Sequence, residues 1–305
     1  MYNCEDTIRN LQKRLMEKRV IDDYMEKKAK LQPTAALVMH WAEELCQQKP
    51  LNGYLDYLDL NEGEELLKIC NDICNWYHEV ILNRKSIIYN MVVSSLISNL
   101  EPSQIVIMAA GMCPLSLKIL HEYKNKVSHI FEIDQGYMKQ KRRIYREFYP
   151  ERSNQVTCVS MDITRPDLIN QLQYQECFDI GKPQIIIAEG ISYYLSSNEL
   201  EKLMNNFSSS YNGNKFIMDY LLPFYQINNE RRNIPQDIFR IIQEQCGIPE
   251  ITTHTRDDIK KVLRGAGGHL HESFNLNEME FKRKGRNRYF MNPDDGWIEC
   301  ALGTI

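Results

Sequence analysis

Four apolar runs in this chain each end in a residue able to do chemistry, and their order outlines one pocket. Gln104 to Ala110 is an apolar, β-branched stretch that meets Gly111, the pattern of a buried parallel strand turning tightly into a helix. A second run ends at Asp134, 23 residues further on; a third reaches Met161-Asp162, and a fourth, Gln184 to Ala188, ends at Glu189-Gly190. Without a side chain, Gly111 lets the backbone approach a ligand closely, and the helix after it offers free N–H groups. A carboxylate ending strand two is placed to accept hydrogen bonds from both hydroxyls of a ribose. The competing role for Asp134 is to cap a helix starting at Gln135. Asp162 has two readings as well: acceptor for an adenine amino group with Ile163 stacking on the ring, or a solvated loop acid before Thr164-Arg165-Pro166.

Glu189 follows four apolar residues, and charged groups are seldom buried without a partner. It therefore holds a positive ligand group or pairs with an arginine. Arg84, in Leu82-Asn83-Arg84-Lys85-Ser86, is a candidate for that pairing, for gripping a ligand carboxylate bidentately, or for an ordinary solvated helix position. Tyr193 and Tyr194 could turn a ring face toward a cation or shape an acceptor pocket, and at least one of them could be plain core packing. Together these residues predict a site for a nucleoside-bearing cofactor at the carboxyl edge of an open α/β sheet. The fingerprint G-x-G-x-x-G is absent from Ala109-Ala110-Gly111-Met112-Cys113-Pro114, and Pro114 leaves little room for a pyrophosphate. NAD and FAD are disfavoured; a nucleoside without phosphates is favoured.

The elements that must position these residues fall into two regions. Residues 1–100 read as helical, with Asp6 and Thr7 as caps for a first helix carrying Ile8, Leu11, Leu15 and Tyr24. A second helix covers Ala35 to Cys46, and a third stretch runs from about Glu64 to Leu100 with a break near Asn83. From Pro102, strands alternate with helices (115–123, 135–148, 167–172, 197–207 and 257–263), with further strands at 215–220 and 297–302. This pattern predicts an α/β fold with a doubly wound, mostly parallel sheet spanning 101–305, and an N-terminal helical cap over 1–100.

Composition is ordinary for a globular chain: 305 residues, 43% hydrophobic and 26% charged. A net charge of −4 argues against nucleic-acid binding, no apolar run approaches the roughly 20 residues of a membrane span, and the polar, acidic N-terminus lacks a secretion-signal layout. Nine scattered cysteines without a Cys-x-x-Cys pair fit a reducing cytoplasm. Cys70 and Cys74 share a helix face but lack partners for a zinc set, so no metal is expected. The basic stretch 139–146 reads as a solvated helix face, and Lys282 to Arg288 as a loop-like cluster. Gly267-Gly268-His269-Leu270-His271 reads as a turn before an edge strand, and no nucleophile elbow is present.

In order, Arg84, Ala-Ala-Gly-Met, Phe-Glu-Ile-Asp, Met-Asp-Ile and Ala-Glu-Gly-Ile-Ser-Tyr-Tyr-Leu resemble the leucine carboxyl methyltransferase-like branch of class I S-adenosylmethionine (SAM) methyltransferases, best over about residues 80–225. The resemblance implies SAM as cofactor. It implies Arg84 on the methionine carboxylate, Gly111 lining the cofactor, Asp134 on the ribose, Asp162 with Ile163 at the adenine, and Glu189 near the methionine moiety. Where the family commonly shows Gly-Ala-Gly and then a polar turn, this chain has Ala-Ala-Gly and then Cys113-Pro114-Leu115.

The expected activity is methyl transfer to a carboxylate or hydroxyl of a small metabolite, as in secondary metabolism, or of a carrier-bound intermediate. Tyr193 and Tyr194 flank the reaction, and residues 1–100 shape the acceptor region. Two alternatives stay open: a SAM-using enzyme that releases methylthioadenosine by aminocarboxypropyl transfer or cyclisation, and a non-catalytic scaffold binding a partner through the helices. A NAD-dependent reductase is disfavoured by the single glycine and the missing Tyr-x-x-x-Lys pair.

Overall fold

The computed structural model describes residues 28–208, 213–248 and 250–305. The expected first helix with its caps Asp6 and Thr7 lies outside the described residues. Seven strands form the main sheet: β1 (Ser103–Met108), β2 (Val127–Asp134), β3 (Val156–Ser160), β4 (Gln184–Ala188), β5 (Lys215–Leu221), β6 (His269–Asn275) and β7 (Ile298–Thr304), in the order β3-β2-β1-β4-β5-β7-β6. β1 to β5 run parallel; β7 is antiparallel to both β5 and β6. Every residue of β1 and β4 is buried, which is why both read as unbroken apolar runs.

Register decides where the chemistry collects. Met108 at the end of β1 pairs with Ile133 on one side and Ala188 on the other, and Asp134 pairs with Ser160. Gly111, Asp134 and Glu189 therefore leave the sheet at one edge. The strand order reverses between β2 and β4 around β1, and a crevice forms at such a switch point.

Before the sheet come α1 (Pro33–Trp41), α2 (Glu64–Ile73) and α3 (His78–Ser98). The expected break near Asn83 is displaced to residues 74–77, where Cys74 takes extended backbone (φ −151°). Asn83 sits buried inside α3, its Oδ1 accepting from Arg283 Nε at 2.6 Å, a tertiary bond that overrides its modest helix propensity. After β1 come α4 (Leu115–Tyr123), α5 (Met138–Phe148), α6 (Leu168–Gln173), α7 (Ser197–Ser208), α8 (Asn233–Cys246), α9 (Arg256–Gly265) and α10 (Leu276–Lys284).

Two helices went unread in the sequence, α8 and α10. The second places Lys282 to Lys284 in a helix, against the loop-like reading, while residues 285–288 form the loop that reading expected. Asn275 and Glu278 make a capping box at its start, and Gly285 at φ 71° closes its end. Arg283 and Lys284 both donate to buried Glu79 on α3, while Lys282 is exposed. The turn read over Gly267 to His271 is shorter than expected, because His269 already opens the edge strand β6. One buried core runs from Leu37 and Tyr54 through Ile107 and Ile187 to Ile298, so the described segments before β1 pack on the same core as the sheet. No helix among the described residues is long and apolar enough to cross a membrane.

Candidate functional site

The turn after β1 lies at the switch point. Ala109 (φ 47°) and Gly111 (φ 45°) both take left-handed conformations, which a non-glycine residue such as Ala109 adopts only at a cost. Outside groups hold the turn at successive points. Ala110 N–H donates to Ile133 O (3.0 Å), Lys141 Nζ donates to Ala110 O (3.3 Å), and Tyr54 hydroxyl donates to Met112 O (3.0 Å). Lys141 is itself fully buried and paired with buried Glu132 at 2.7 Å.

Asp134 leaves β2 beside this turn. Its Oδ2 accepts the Gly111 N–H at 2.9 Å and its Oδ1 accepts the Gly136 N–H at 2.8 Å. The expected helix at Gln135 begins only at Met138, so Asp134 is not its cap. Each carboxylate oxygen keeps a further lone pair for a ligand hydroxyl. Tyr137 follows at φ 56°, and its hydroxyl oxygen accepts the Gln32 N–H at 2.7 Å, fastening the segment before α1 to the cleft.

On the other side, four charged residues from three elements meet. Arg84 and Lys85 come from α3, Glu189 from the end of β4, and Asp219 from β5. Glu189 Oε1 accepts from Lys85 Nζ (2.8 Å) and from Arg84 Nη2 (3.1 Å). Arg84 Nη1 reaches Tyr193 hydroxyl (3.0 Å) and Asp219 Oδ2 (3.4 Å), while Asp219 Oδ1 accepts the Gly190 N–H at 2.6 Å. Burial opposes a charge on Glu189, yet Lys85 and Arg84 outweigh it and hold its carboxyl below the usual range. Burial pushes Asp219 above its usual range against the pull of Arg84. Burial also raises the phenols of Tyr193 and Tyr194, the latter to about 12. Two cations and two carboxylates make the cluster formally neutral.

A cleft of about 360 Å³ joins these groups; Arg84, Gly111, Asp134, Glu189, Tyr193 and Tyr194 all line it. Thr34 and Val38 of α1 also contribute to its wall. Asp162 and Ile163 do not line this cavity. Asp162 Oδ1 accepts both the N–H and the hydroxyl of Thr164 at 2.8 Å, and the Thr164 N–H is the main cause holding its carboxyl below the usual range. Both residues remain at the same sheet edge, because β3 pairs with β2 up to Ser160 and Asp134. A second cavity of about 260 Å³ shares Lys85, Cys113 and Glu189 with the cleft.

Sequence reasoning assigned no role to Lys85, Asp219, Tyr137 or Tyr54. Asp219 carried a usable signal, an acid inside the apolar run Phe216 to Leu221. Lys85 carried none, because which residues of α3 face the cleft depends on how that helix docks.

Residues 71–208 match the family model for leucine carboxyl methyltransferase. No curated protein matches the chain. Among solved structures, a candidate methyltransferase from Thermobifida fusca superposes with a TM-score of 0.63 at 14% identity, covering 90% of this chain and 95% of that one. A DUF574 family protein from Streptomyces avermitilis gives 0.61 at 11% identity, covering 92% and 98%. At these identities the likeness is one of fold: a mostly parallel seven-stranded sheet with helices, Rossmann-like, as in class I methyltransferases. The matched segment is similar to leucine carboxyl methyltransferase and the fold is that of class I methyltransferases, which together support a SAM-dependent transferase.

Proposed function

We propose that this protein methylates an oxygen of a small metabolite or carrier-bound intermediate, a carboxylate in preference to a hydroxyl. The observation that carries the choice is the state of the groups around the cleft. A hydroxyl nucleophile needs a base, whereas a carboxylate needs none. Glu189 is doubly paired and acidic, and Tyr193 and Tyr194 are held protonated, so none of them is a good base.

The residues fit the cofactor. Gly111 carries no Cβ, and one built there would meet no atom within 4 Å, leaving a cradle open for a ligand. Asp134 would accept from the ribose hydroxyls, with Gly111 against the sugar. Asp162 and Ile163, at the neighbouring strand end, would serve the adenine. The neutral cluster suits a zwitterion: Arg84 and Lys85 would hold the amino-acid carboxylate and Glu189 the ammonium, so insertion adds no net charge to a buried place. SAM, when bound, supplies an electrophilic methyl on a sulfonium leaving group. The chain's own task is to hold the acceptor in line and exclude water, with Tyr193 and Tyr194 as walls around the reacting atoms. Residues 1–100 act as the cap and acceptor-binding region over a SAM-binding domain of 101–305, a division supported by the contribution of α1 to the cleft wall.

The test is to incubate the purified protein with SAM, with and without candidate carboxylic acids, and to resolve the nucleoside products. S-adenosylhomocysteine formed only with an acceptor is the expected result. Methylthioadenosine formed without one would instead mark an enzyme that breaks the other C–S bond, and no SAM binding would leave only a scaffold.

A further inference from the structure

Of the four charged residues that meet beside the cleft, Arg84, Lys85 and Glu189 line it, and Asp219 does not. Asp219 is fully buried on β5. A carboxylate in such a place is costly unless it is paired and hydrogen-bonded. Its two oxygens are divided between the groups that form the wall. Oδ2 accepts from Arg84 Nη1 at 3.4 Å, and Oδ1 accepts the N–H of Gly190, the residue after Glu189, at 2.6 Å. Gly190 is left-handed at φ 74°, and a Cβ there would come within 3.4 Å of the Tyr193 hydroxyl and 3.7 Å of Arg84 Nη2. Asp219 therefore reaches both the arginine and the turn that carries the glutamate, from behind the cleft wall.

We infer that Asp219 is a positioning residue that sets the charge selectivity of the cleft: by balancing Arg84 it makes the site choose a zwitterionic amino-acid end over a purely anionic one. The inference rests on the SAM reading above. Arg84 and Lys85 are positive and Glu189 negative, so the charged residues of this wall leave one positive charge in excess. Alone they would favour a ligand with a carboxylate and no ammonium. Asp219 removes that excess. It is fully buried and Arg84 only 3% exposed, so water does little to screen the charge between them. A zwitterion then enters without changing the net charge, whereas a lone carboxylate adds an uncompensated negative charge to a buried place. Both Asp219 oxygens receive donors, as those of an ionised carboxylate do. The side chain acts through Arg84 and Gly190 and does not touch the ligand.

The test compares two ligands by calorimetry at neutral pH: S-adenosylhomocysteine, and its analogue in which hydrogen replaces the α-amino group. Wild type is expected to prefer S-adenosylhomocysteine. Asp219→Asn keeps the shape and an oxygen acceptor for Gly190 but removes the charge. It should shrink that preference about tenfold, the size of one charge-assisted hydrogen bond. A residue that only supported the fold would weaken both ligands alike, and an unchanged ratio would overturn the inference. Arg84→Gln tilts the balance the other way. Both ligands then lose a partner for the carboxylate they share, and the preference for the ammonium-bearing one should grow. A ratio that falls or stays level in Arg84→Gln would overturn the charge argument, even if Asp219→Asn proved unable to fold. Failure of the wild type to bind S-adenosylhomocysteine would overturn the SAM reading itself, a result distinct from the others.

Discussion

Asp134 accepts the backbone N–H of Gly111 at 2.9 Å, so the acid that ends one central strand braces the turn that ends its neighbour. The same carboxylate is thereby aimed at the mouth of the cleft. Asp134→Ala should lose two charge-assisted hydrogen bonds to ribose, each of about 1.5–3 kcal/mol, and weaken SAM binding by on the order of a hundredfold or more. Calorimetry with an unchanged far-UV spectrum checks this, and unaltered affinity would remove Asp134 from the site.

Gly111 sits at φ 45°, where a side chain is strained even though space around it is open. Gly111→Ala should cost about 1–2 kcal/mol of stability from the backbone alone. Its SAM affinity should fall further than that strain explains, because the added methyl occupies the cradle. Urea unfolding beside a binding isotherm separates the two effects; a variant that loses stability but binds normally would show that the cradle is not used.

The Glu132–Lys141 pair is fully buried and also anchors the carbonyl of Ala110. Breaking it on one side leaves a stranded charge, so Lys141→Met and Glu132→Gln should each destabilise the fold by about 3–5 kcal/mol. The double variant Glu132→Leu with Lys141→Met should recover much of that loss in denaturant titrations. Additive losses would argue that the pair acts through something other than mutual charge compensation.

Glu189 is held below its ordinary carboxyl range when folded, so its ionised form contributes stability above the unfolded value near 4.5 and loses it as pH falls through the folded one. Glu189→Gln leaves Lys85 buried without its acid. It should cost about 3 kcal/mol at pH 7, and the gap to wild type should close as pH drops below 4.5 toward the depressed folded value. Unfolding curves at pH 7 and at successive values below 4.5 give the comparison. A gap independent of pH would mean that the loss is steric.

Much of the sheet was legible because strands buried on both faces write themselves as apolar runs, and their ends carry the chemistry. Gly111, Asp134 and Glu189 were found this way, and register brings them to one edge. Helix ends were less legible. The break in the long helical stretch was expected at Asn83 but falls at residues 74–77, since Arg283, 200 residues away, secures Asn83 inside a helix. Long-range pairing with Glu79 likewise hid α10, whose basic run reads in sequence as a loop-like cluster. Lys85 was invisible for a related reason: its place at the cleft depends on how α3 docks on the sheet.

Two clasps join the segments flanking α1 to the sheet edge: the Gln32 amide on Tyr137 and the Tyr54 phenol on the Met112 carbonyl. Tyr137 and Met112 both line the cleft, so each clasp ends on its wall. Deleting the stretch that carries Gln32 and Tyr54 would leave Tyr137 without its backbone donor and the β1 turn without one of its fastenings.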